Sequence, residues 1–446
     1  MSHLSPANSP RFRRGIAIAA ATLSVGLLTA ACQEDTPPPN AASPGGTTSP
    51  AASPATDSKG LKLGSLLPAT GDLGSIGQQM SATVPLLVET VNQCGGVNGA
   101  PVTLVSVDDQ TDPSAGTEGM TRLAEAERVA GVVGSFASSV STAALPIAVR
   151  NKVVLISPGS TSPVFTQQAR EGRFQGYWAR TAPPDTYQAQ ALAKLAQERG
   201  FKTAGTVVIN NDYGVGFEKE FVKAFESLGG RVTNAARPTR YDPKATTFQT
   251  EATAAFAGNP NAVAAVLYAD TGSLLIKSAF EQGVSKGTQL LLTDGVYSAE
   301  FVSKVGKTQD GKSILAGAIG TVPGANGKAL DAFTKLWAEK KKQPLAPYAA
   351  HAWDAAAILT LAAQASKTNT GDGIKSKIRE VTNAPGTEVT DVCKGLELLS
   401  KGEDINYQGA SGNVDIDESG DVVGNYDVWT VKEDGSLAVV GKVSPK

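Results

Sequence analysis

The sequence predicts an α/β protein with two similar lobes, each built around a doubly wound, mostly parallel sheet. Short apolar runs rich in β-branched residues alternate with helical segments from Leu61 onward, as in parallel sheets covered by helices on both faces. This alternation starts again after residues 180–184. A chain of 446 residues is also too long for one hydrophobic core.

Residues 1–31 are predicted to form a secretory signal peptide. Three arginines between residues 11 and 14 precede a short apolar run, and small residues end directly at Cys32. This ending resembles the cleavage site of bacterial lipoproteins, although the favoured leucine lies one position early at Leu28. We therefore expect Cys32 to carry lipid at the N-terminus, with ordinary secretion as the alternative. Residues 32–60 are rich in Pro and Ser and are expected to form a disordered tether.

The order of strands and helices follows from hydrophobic periodicity. In the first series, strands are predicted at 61–68, 102–109, 129–133 and 153–156, and helices at 76–92, 114–130 and from 138. In the second series, strands are predicted at 203–211, 229–238, 261–270 and 288–295, and helices at 187–200, 215–229, 242–258 and 274–283. The remainder predicts a strand at 314–322, helices at 328–341, 348–365 and 373–383, and a hairpin at 426–440.

Two hydroxyl-rich loops follow neighbouring strands of the first series. The strand at 129–133 leads to a helix near Ser138, whose side chain could cap the free N–H groups of the first turn. The strand at 153–156 leads to residues 158–161, which bring further donors to the same sheet edge. No basic residue lies in the first loop, so this edge predicts a site for a small carboxylate rather than a polyphosphate.

Composition and motifs argue against several classes of function. The chain has 40 basic and 42 acidic residues, which argues against nucleic-acid binding. Apart from the leader, His351 is the only histidine, and no dinucleotide, phosphate-loop or nucleophile-elbow motif is present. We expect a protein that is not an enzyme, without cofactor or metal. Asp108, Asp109 and Asp112 are interpreted as turn and helix-cap residues rather than as a calcium site.

Four motifs together resemble those of the type I periplasmic solute-binding proteins, in the leucine/isoleucine/valine-binding branch that serves ABC importers. They are GGVNGAPVTLVSVDDQTDP, GSFASS, ISPGSTSPVFT and NDYGVGF. The resemblance covers about residues 61–440 and implies two Rossmann-like lobes joined by a multi-strand hinge, with ligand between them. It assigns residues 61–183 and 318–424 to lobe 1, and residues 184–317 and 425–446 to lobe 2. Crossings are then expected at residues 181–184 and near Gly317.

The resemblance also assigns the groups that hold a ligand carboxylate. The family's serine falls on Ser138, which with the neighbouring Ser139 and their backbone N–H groups would bind it. In the second loop, the Gly159 carbonyl and the Thr161 hydroxyl would face the ligand's amino group or carboxylate.

Further matches concern the ammonium group and the side chain of an amino-acid ligand. Asp294 occupies the slot of an acidic residue that neutralises the ammonium, where the family usually has Glu, and Tyr213 matches a tyrosine lining the cleft. Family aromatics are replaced at Ile76 and near Thr271, with Tyr268 three residues earlier. These departures leave open an amino-acid ligand whose side chain is not branched. The presence of Asp in place of Glu leaves open an amide or urea as the ligand.

The same resemblance places Cys94 and Cys393 in lobe 1. In the oxidising compartment that it implies, a disulfide between them is expected, with two buried free thiols as the alternative.

The function expected from the resemblance is that of a lipoprotein anchored on the extracytoplasmic face of the cell membrane. It would be a monomer that captures a small amino acid and delivers it to an ABC permease. A sensor that feeds a signalling partner is the alternative, because the same lobes serve both roles.

Overall fold

A computed structural model describes residues 60–445. The predicted signal peptide, Cys32 and the tether up to residue 59 lie outside the described residues. Within the described part of the chain, no helix is both long and apolar enough to cross a membrane.

The first sheet has five parallel strands in the order β2-β1-β3-β4-β5. Its strands are β1 (Lys62–Leu67), β2 (Thr103–Asp108), β3 (Gly131–Gly134), β4 (Val154–Ser157) and β5 (Trp178–Arg180). The connecting helices are α1 (Gly74–Gln93), α2 (Pro113–Thr121), α3 (Ser138–Arg150) and α4 (Pro163–Arg170). Every residue of β3 and β4 is buried, because helices cover both faces of this sheet.

The second sheet has the order β15-β14-β11-β10-β9-β6-β7, and β8 also pairs with β6. Its strands are β6 (Thr203–Ile209), β7 (Arg231–Val232), β8 (Thr239–Tyr241), β9 (Ala262–Val266), β10 (Gln289–Leu292), β11 (Ile319–Pro323), β14 (Tyr426–Val431) and β15 (Leu437–Val443). The last two form the predicted hairpin and are antiparallel, whereas β6 to β11 are parallel. The helices of this lobe are α5 (Asp185–Glu198), α6 (Asp212–Ser227), α7 (Gln249–Ala255), α8 (Ala269–Glu281) and α9 (Ala299–Val305).

Helices from late in the chain return to the first sheet. They are α10 (Leu330–Lys341), α11 (Ala349–Ser366), α12 (Gly371–Thr382) and α13 (Val392–Ser400), with the short parallel strands β12 (Thr387–Val389) and β13 (Ile405–Tyr407). Helix α11 is buried over nearly its whole length and packs on β3, β4 and α1. A disulfide joins Cys94 at the end of α1 to Cys393 in α13.

Three segments of chain cross between the sheets, after β5, after β11 and before β14. They are bonded to one another, since Arg180 N donates to Gly420 O at 2.8 Å and Gly324 N donates to Asn425 O at 2.9 Å. Strand β11 pairs with β10, so the second sheet continues past the crossing predicted near Gly317. The α/β class of two doubly wound lobes is confirmed.

Two predicted helices are shorter in the structure. The segment at 242–258 is helical only in α7, because Asp242 and Pro243 form a turn in which Asp242 accepts from Lys244 N and Ala245 N. The segment at 114–130 ends its α-helix at Thr121 and continues as one turn of π-helix.

Candidate ligand-binding site

A buried serine network fixes the two loops at the carboxyl edge of the first sheet. The carbonyl oxygen of Ser135, directly after β3, accepts from the hydroxyls of Ser157 at 2.5 Å, Ser160 at 2.9 Å and Ser141 at 3.2 Å. Asp109 also holds Ser135 in place, because the Ser135 hydroxyl donates to the Asp109 carboxylate at 2.5 Å. All five side chains are buried, so the loop geometry is set by hydrogen bonds made away from solvent.

Helix α3 begins at this network with its first turn uncapped. The prediction that the Ser138 side chain caps the helix is wrong, because Ala137 holds the cap position and makes no side-chain bond. Ser138 is the first helical residue, and its hydroxyl accepts from Ser162 N at 3.3 Å. Ala137 and Ser138 line the cleft, whereas Ser139 is half-buried beside it. Val140 N already donates to Ala137 O at 3.1 Å, so the Ser138 and Ser139 N–H groups and the positive end of the helix dipole are what the first turn offers to an anion.

The second loop brings Gly159 and Thr161 to the carboxyl edge of the first sheet, next to the start of α3. Gly159 lines the cleft, and a Cβ there would lie 2.1 Å from the Phe136 ring, so a side chain cannot be accommodated. The Thr161 hydroxyl is buried and has no hydrogen-bond partner within the described residues. A buried hydroxyl without a partner is costly, so this group is available to a ligand.

Asp294 lies in a short 3₁₀ turn directly after β10, where the sequence places it. It is 4% exposed and accepts three hydrogen bonds, from Gln188 Nε2 at 2.7 Å, Tyr348 OH at 2.7 Å and Tyr213 OH at 3.2 Å. Burial raises the pKa of Asp294, and the three donors lower it in part. The oxygens of this carboxylate are therefore already hydrogen-bonded to protein groups.

Asp185 is a second buried acid, and the sequence analysis missed it. It is the first residue of α5 and is fully buried, with no hydrogen-bond partner for either carboxylate oxygen within the described residues. Its backbone N donates to Thr161 O at 2.8 Å, which places it beside the second loop. Burial raises the pKa of Asp185 well above its ordinary value and the charge of Asp294 adds to this, whereas the nearby Thr161 hydroxyl and the charge of Arg180 lower it in part. The only signal in the sequence is an acid at the start of a helix after Pro183 and Pro184.

The cleft between the two sheets is narrow and leaves little free space. It is lined by Leu73, Phe136, Ala137, Ser138, Gly159, Tyr213, Tyr268, Asp294 and Gly295. The Tyr213 and Tyr268 rings stack with their centroids 5.9 Å apart. Ile76, expected to face the ligand, is instead packed in the core, and Leu73 from the same segment lines the cleft.

The remaining candidates have structural roles. Asp112 caps α2 by accepting from Ser114 N and Ala115 N, and Asp108 accepts from Ala69 N, which confirms their interpretation as turn and cap residues. His351 is buried in α11, where burial lowers its pKa to about 3. Within residues 60–445, no group of acids, histidines or cysteines is arranged to hold a metal ion.

The family model of the receptor family ligand-binding region matches residues 79–434. The chain belongs to this family. A chemotactic signal transduction substrate-binding protein of Halobacterium salinarum is 29% identical, covering 84% of this chain and 88% of the relative. A Leu/Ile/Val-binding protein homologue of Brucella abortus is 27% identical, covering 70% of this chain and 81% of the relative.

Solved structures of similar fold include a leucine-binding protein from Thermotoga maritima. It has a TM-score of 0.71 and 24% identity, covering 86% of this chain and 99% of that one. A branched-chain amino acid binding protein of Streptococcus pneumoniae, in complex with isoleucine, has a TM-score of 0.70 and 19% identity. The match covers 87% of this chain and 100% of that one. An R. palustris solute-binding protein in complex with benzoate has a TM-score of 0.67 and 19% identity. The match covers 87% of this chain and 97% of that one. The predicted type I periplasmic binding fold is confirmed.

Proposed function

We propose that the chain is an extracytoplasmic receptor that closes two lobes around a small amino acid with an apolar side chain. The observation that carries this proposal is that Asp294 and the uncapped start of α3 line one cleft, with the buried Asp185 close enough to Asp294 for their charges to interact. An amino acid carries one anionic and one cationic group a few ångströms apart, so the site offers complementary groups to both.

The carboxylate of the ligand would bind at the first turn of α3. The N–H groups there, the Ser138 hydroxyl and the Thr161 hydroxyl are donors without a competing basic side chain among the cleft residues. Neutral donors and a helix dipole suit a single carboxylate. Gly159 allows this loop to approach Phe136 closely and brings its carbonyl to the cleft.

The ammonium group would lie beside Asp185 and Asp294. Asp294 already accepts from three donors, whereas both oxygens of Asp185 lack a donor within the described residues. An ammonium brings three N–H donors and a positive charge, which would satisfy Asp185 and relieve the repulsion between the two acids. On this proposal Asp185 is the stronger ammonium partner, and Asp294 orders the surrounding hydroxyls.

The ligand side chain would face the apolar part of the cleft. Leu73, Phe136, Tyr213 and Tyr268 supply this surface, and its small extent favours a small aliphatic side chain. The Brucella relative is a Leu/Ile/Val-binding protein homologue and the Streptococcus protein holds isoleucine, which agrees with such a side chain.

The wider setting follows from the leader and the relatives. A lipid on Cys32 would hold the body at the extracytoplasmic face of the cell membrane as a monomer, and an ABC permease would receive the ligand. The Halobacterium relative belongs to a chemotactic system, so delivery of a ligand signal to a membrane partner is the second candidate. Non-enzymatic binding is common to both.

The test is isothermal titration calorimetry on the full mature chain carrying Cys32→Ser, after unfolding and refolding to remove carried-over ligand. The panel contains the twenty amino acids, short amides, urea and benzoate. We expect micromolar or tighter binding of one apolar amino acid, weakened at least about 100-fold by Asp185→Asn because a charged hydrogen bond is lost. Asp310→Asn, an exposed acid, is the matched control and should bind as the parent does.

Other outcomes change the assignment. Binding of urea or an amide alone would keep a receptor but remove the ammonium role of the two acids. Binding of benzoate alone would remove both acids from the site. A folded protein that binds no member of the panel would contradict the amino-acid proposal.

A further inference from the structure

Helix α8 receives its N-terminal cap from the opposite lobe. Its own cap residue, Tyr268, makes no side-chain bond to the first turn. Asp72, in the loop between β1 and α1, accepts from Asp270 N at 2.5 Å and from the Thr271 hydroxyl at 2.9 Å. Asp72 belongs to the first sheet's lobe and α8 to the second, so these bonds join the two lobes.

We infer that Asp72 is an interlobe latch that stabilises the closed form and positions Leu73 against the ligand. This inference rests on the proposed function, in which ligand is held between the lobes. Leu73 is the next residue in the chain and lines the cleft. Its backbone N donates to Thr111 Oγ1 at 3.1 Å, which fixes the other side of the same loop. Closure therefore places an apolar side chain over the site.

Charges around the latch are arranged to allow a carboxylate there. Asp270 lies next to Asp72 and would repel it, but Lys304 forms ion pairs with both Asp270 and Glu300. The positive end of the α8 dipole also favours an acid at this position. Thr271, which donates to Asp72, lies 3.4 Å from the Tyr241 hydroxyl and is thereby oriented.

Further contacts also join the lobes. The Ser162 hydroxyl donates to Asp212 O at 2.9 Å. Lys244 and Asp112 form an ion pair at 3.9 Å, in which the lysine side chain is 83% exposed. Exposed ion pairs contribute little to stability, so Lys244→Ala is a matched control that removes an interlobe contact without removing a cap.

The latch is tested first without ligand. Hydrogen exchange is measured at the amides of Asp270 and Thr271 in the full mature chain with Cys32→Ser. We expect Asp72→Ala to speed exchange at Asp270 about 5- to 10-fold, the size of a lost helix cap. Asp72→Asn, which keeps one acceptor oxygen, should recover part of the protection, and Lys244→Ala should not change it. Unchanged exchange at Asp270 in both Asp72 variants would overturn the inference.

The second measurement is the dissociation rate of L-isoleucine by stopped flow. Asp72→Ala and Thr271→Val should both speed dissociation several-fold, with a smaller change in association, because the latch holds the lobes together around a bound ligand. Equal dissociation rates of L-isoleucine from Asp72→Ala and Lys244→Ala would overturn the inference that Asp72 positions Leu73 against the ligand. If isoleucine does not bind the parent protein, the proposed ligand is wrong, while the exchange measurement still decides whether the latch exists. A melting curve of each variant shows that it is folded.

Discussion

The hydroxyl of Tyr348 donates to Oδ2 of Asp294 at 2.7 Å, and this bond joins the two lobes at the ligand cleft. Tyr348 precedes α11, which packs on the first sheet, whereas Asp294 follows β10 of the second. The Tyr348 backbone is left-handed, with φ 68°, which is unusual for a bulky residue. Its ring packs edge-on to Phe136 with the centroids 4.7 Å apart. One lobe thus presents a fixed hydroxyl to the acid of the other.

Tyr348→Phe is expected to weaken amino-acid binding about 5- to 10-fold. The closed form loses one hydrogen bond to a carboxylate, which is worth roughly 1.5 kcal/mol. Titration calorimetry measures the change, and Tyr187→Phe, a half-buried tyrosine on α5, is the control. Unaltered affinity in Tyr348→Phe would mean that this bond does not contribute to closure.

Asp185→Asn is expected to raise the melting temperature of the ligand-free protein. The parent buries a carboxylate without a hydrogen-bond partner, which costs free energy that a neutral amide largely avoids. Because the folded-state pKa of Asp185 is raised, its charge destabilises the fold as pH rises above about 4, the unfolded value. The gain in melting temperature should therefore be larger at pH 8 than at pH 4.

Asp294→Asn is the comparison for this experiment. Its carboxylate accepts from three donors, so the amide would leave donors without acceptors and should lower the melting temperature. Equal effects of the two substitutions would contradict the difference in hydrogen bonding between the two acids.

Asp109 predicts a specific pH dependence of stability. Burial raises its pKa to about 6, from an ordinary value near 4. Between these values the folded protein holds a proton that the unfolded chain has lost. Its contribution to stability is therefore full below about pH 4 and is lost as pH rises through about 6, by on the order of 3 kcal/mol.

Urea denaturation from pH 4 to pH 8 measures this contribution. Asp109→Asn cannot titrate, so the difference in unfolding free energy between the parent and this variant should change across that range. Asp112→Asn is a useful comparison, because the pKa of this exposed cap is lowered and its contribution has the opposite sign. A constant difference for Asp109→Asn would show that Asp109 does not titrate in this range.

Removal of the disulfide is expected to reduce stability without changing ligand affinity. Cys94 and Cys393 are 299 residues apart in sequence, and bridges that close long loops stabilise by roughly 3–5 kcal/mol. The double substitution Cys94→Ser/Cys393→Ser should lower the urea midpoint and leave the calorimetric affinity unchanged. Loss of affinity in a fully folded double variant would show instead that the bridge shapes the cleft.

Local patterns predict much of the sheets and part of the site. The apolar, β-branched run before Gly134 indicates a buried strand, and the carboxyl-end rule then places Ser138, Gly159 and Thr161 together. Asp294 lies at the end of a predicted strand of the second lobe, but its place in the site is predicted from the family resemblance. These predictions succeed because strand, loop and helix are contiguous in sequence.

Contacts between distant segments could not be predicted in the same way. An acid at a helix start, such as Asp185, is most often an exposed cap, and only the packing of the crossing segments buries it here. The partners Asp72 and Thr271 belong to different lobes, so neither local periodicity nor composition relates them. Local prediction also fails where an exact boundary matters. The helix begins at Ser138 rather than one residue later, so Ser138 is the first helical residue and does not cap the helix.

The route of the chain through the two sheets has a consequence for biosynthesis. The strands of the first sheet are complete by Arg180, yet α11, which covers them, comes much later in the sequence. The second sheet gains β14 and β15 only from the end of the chain. Neither lobe can therefore bury its full core before the later segments of the chain have been synthesised, so completion of both cores waits until synthesis is nearly finished.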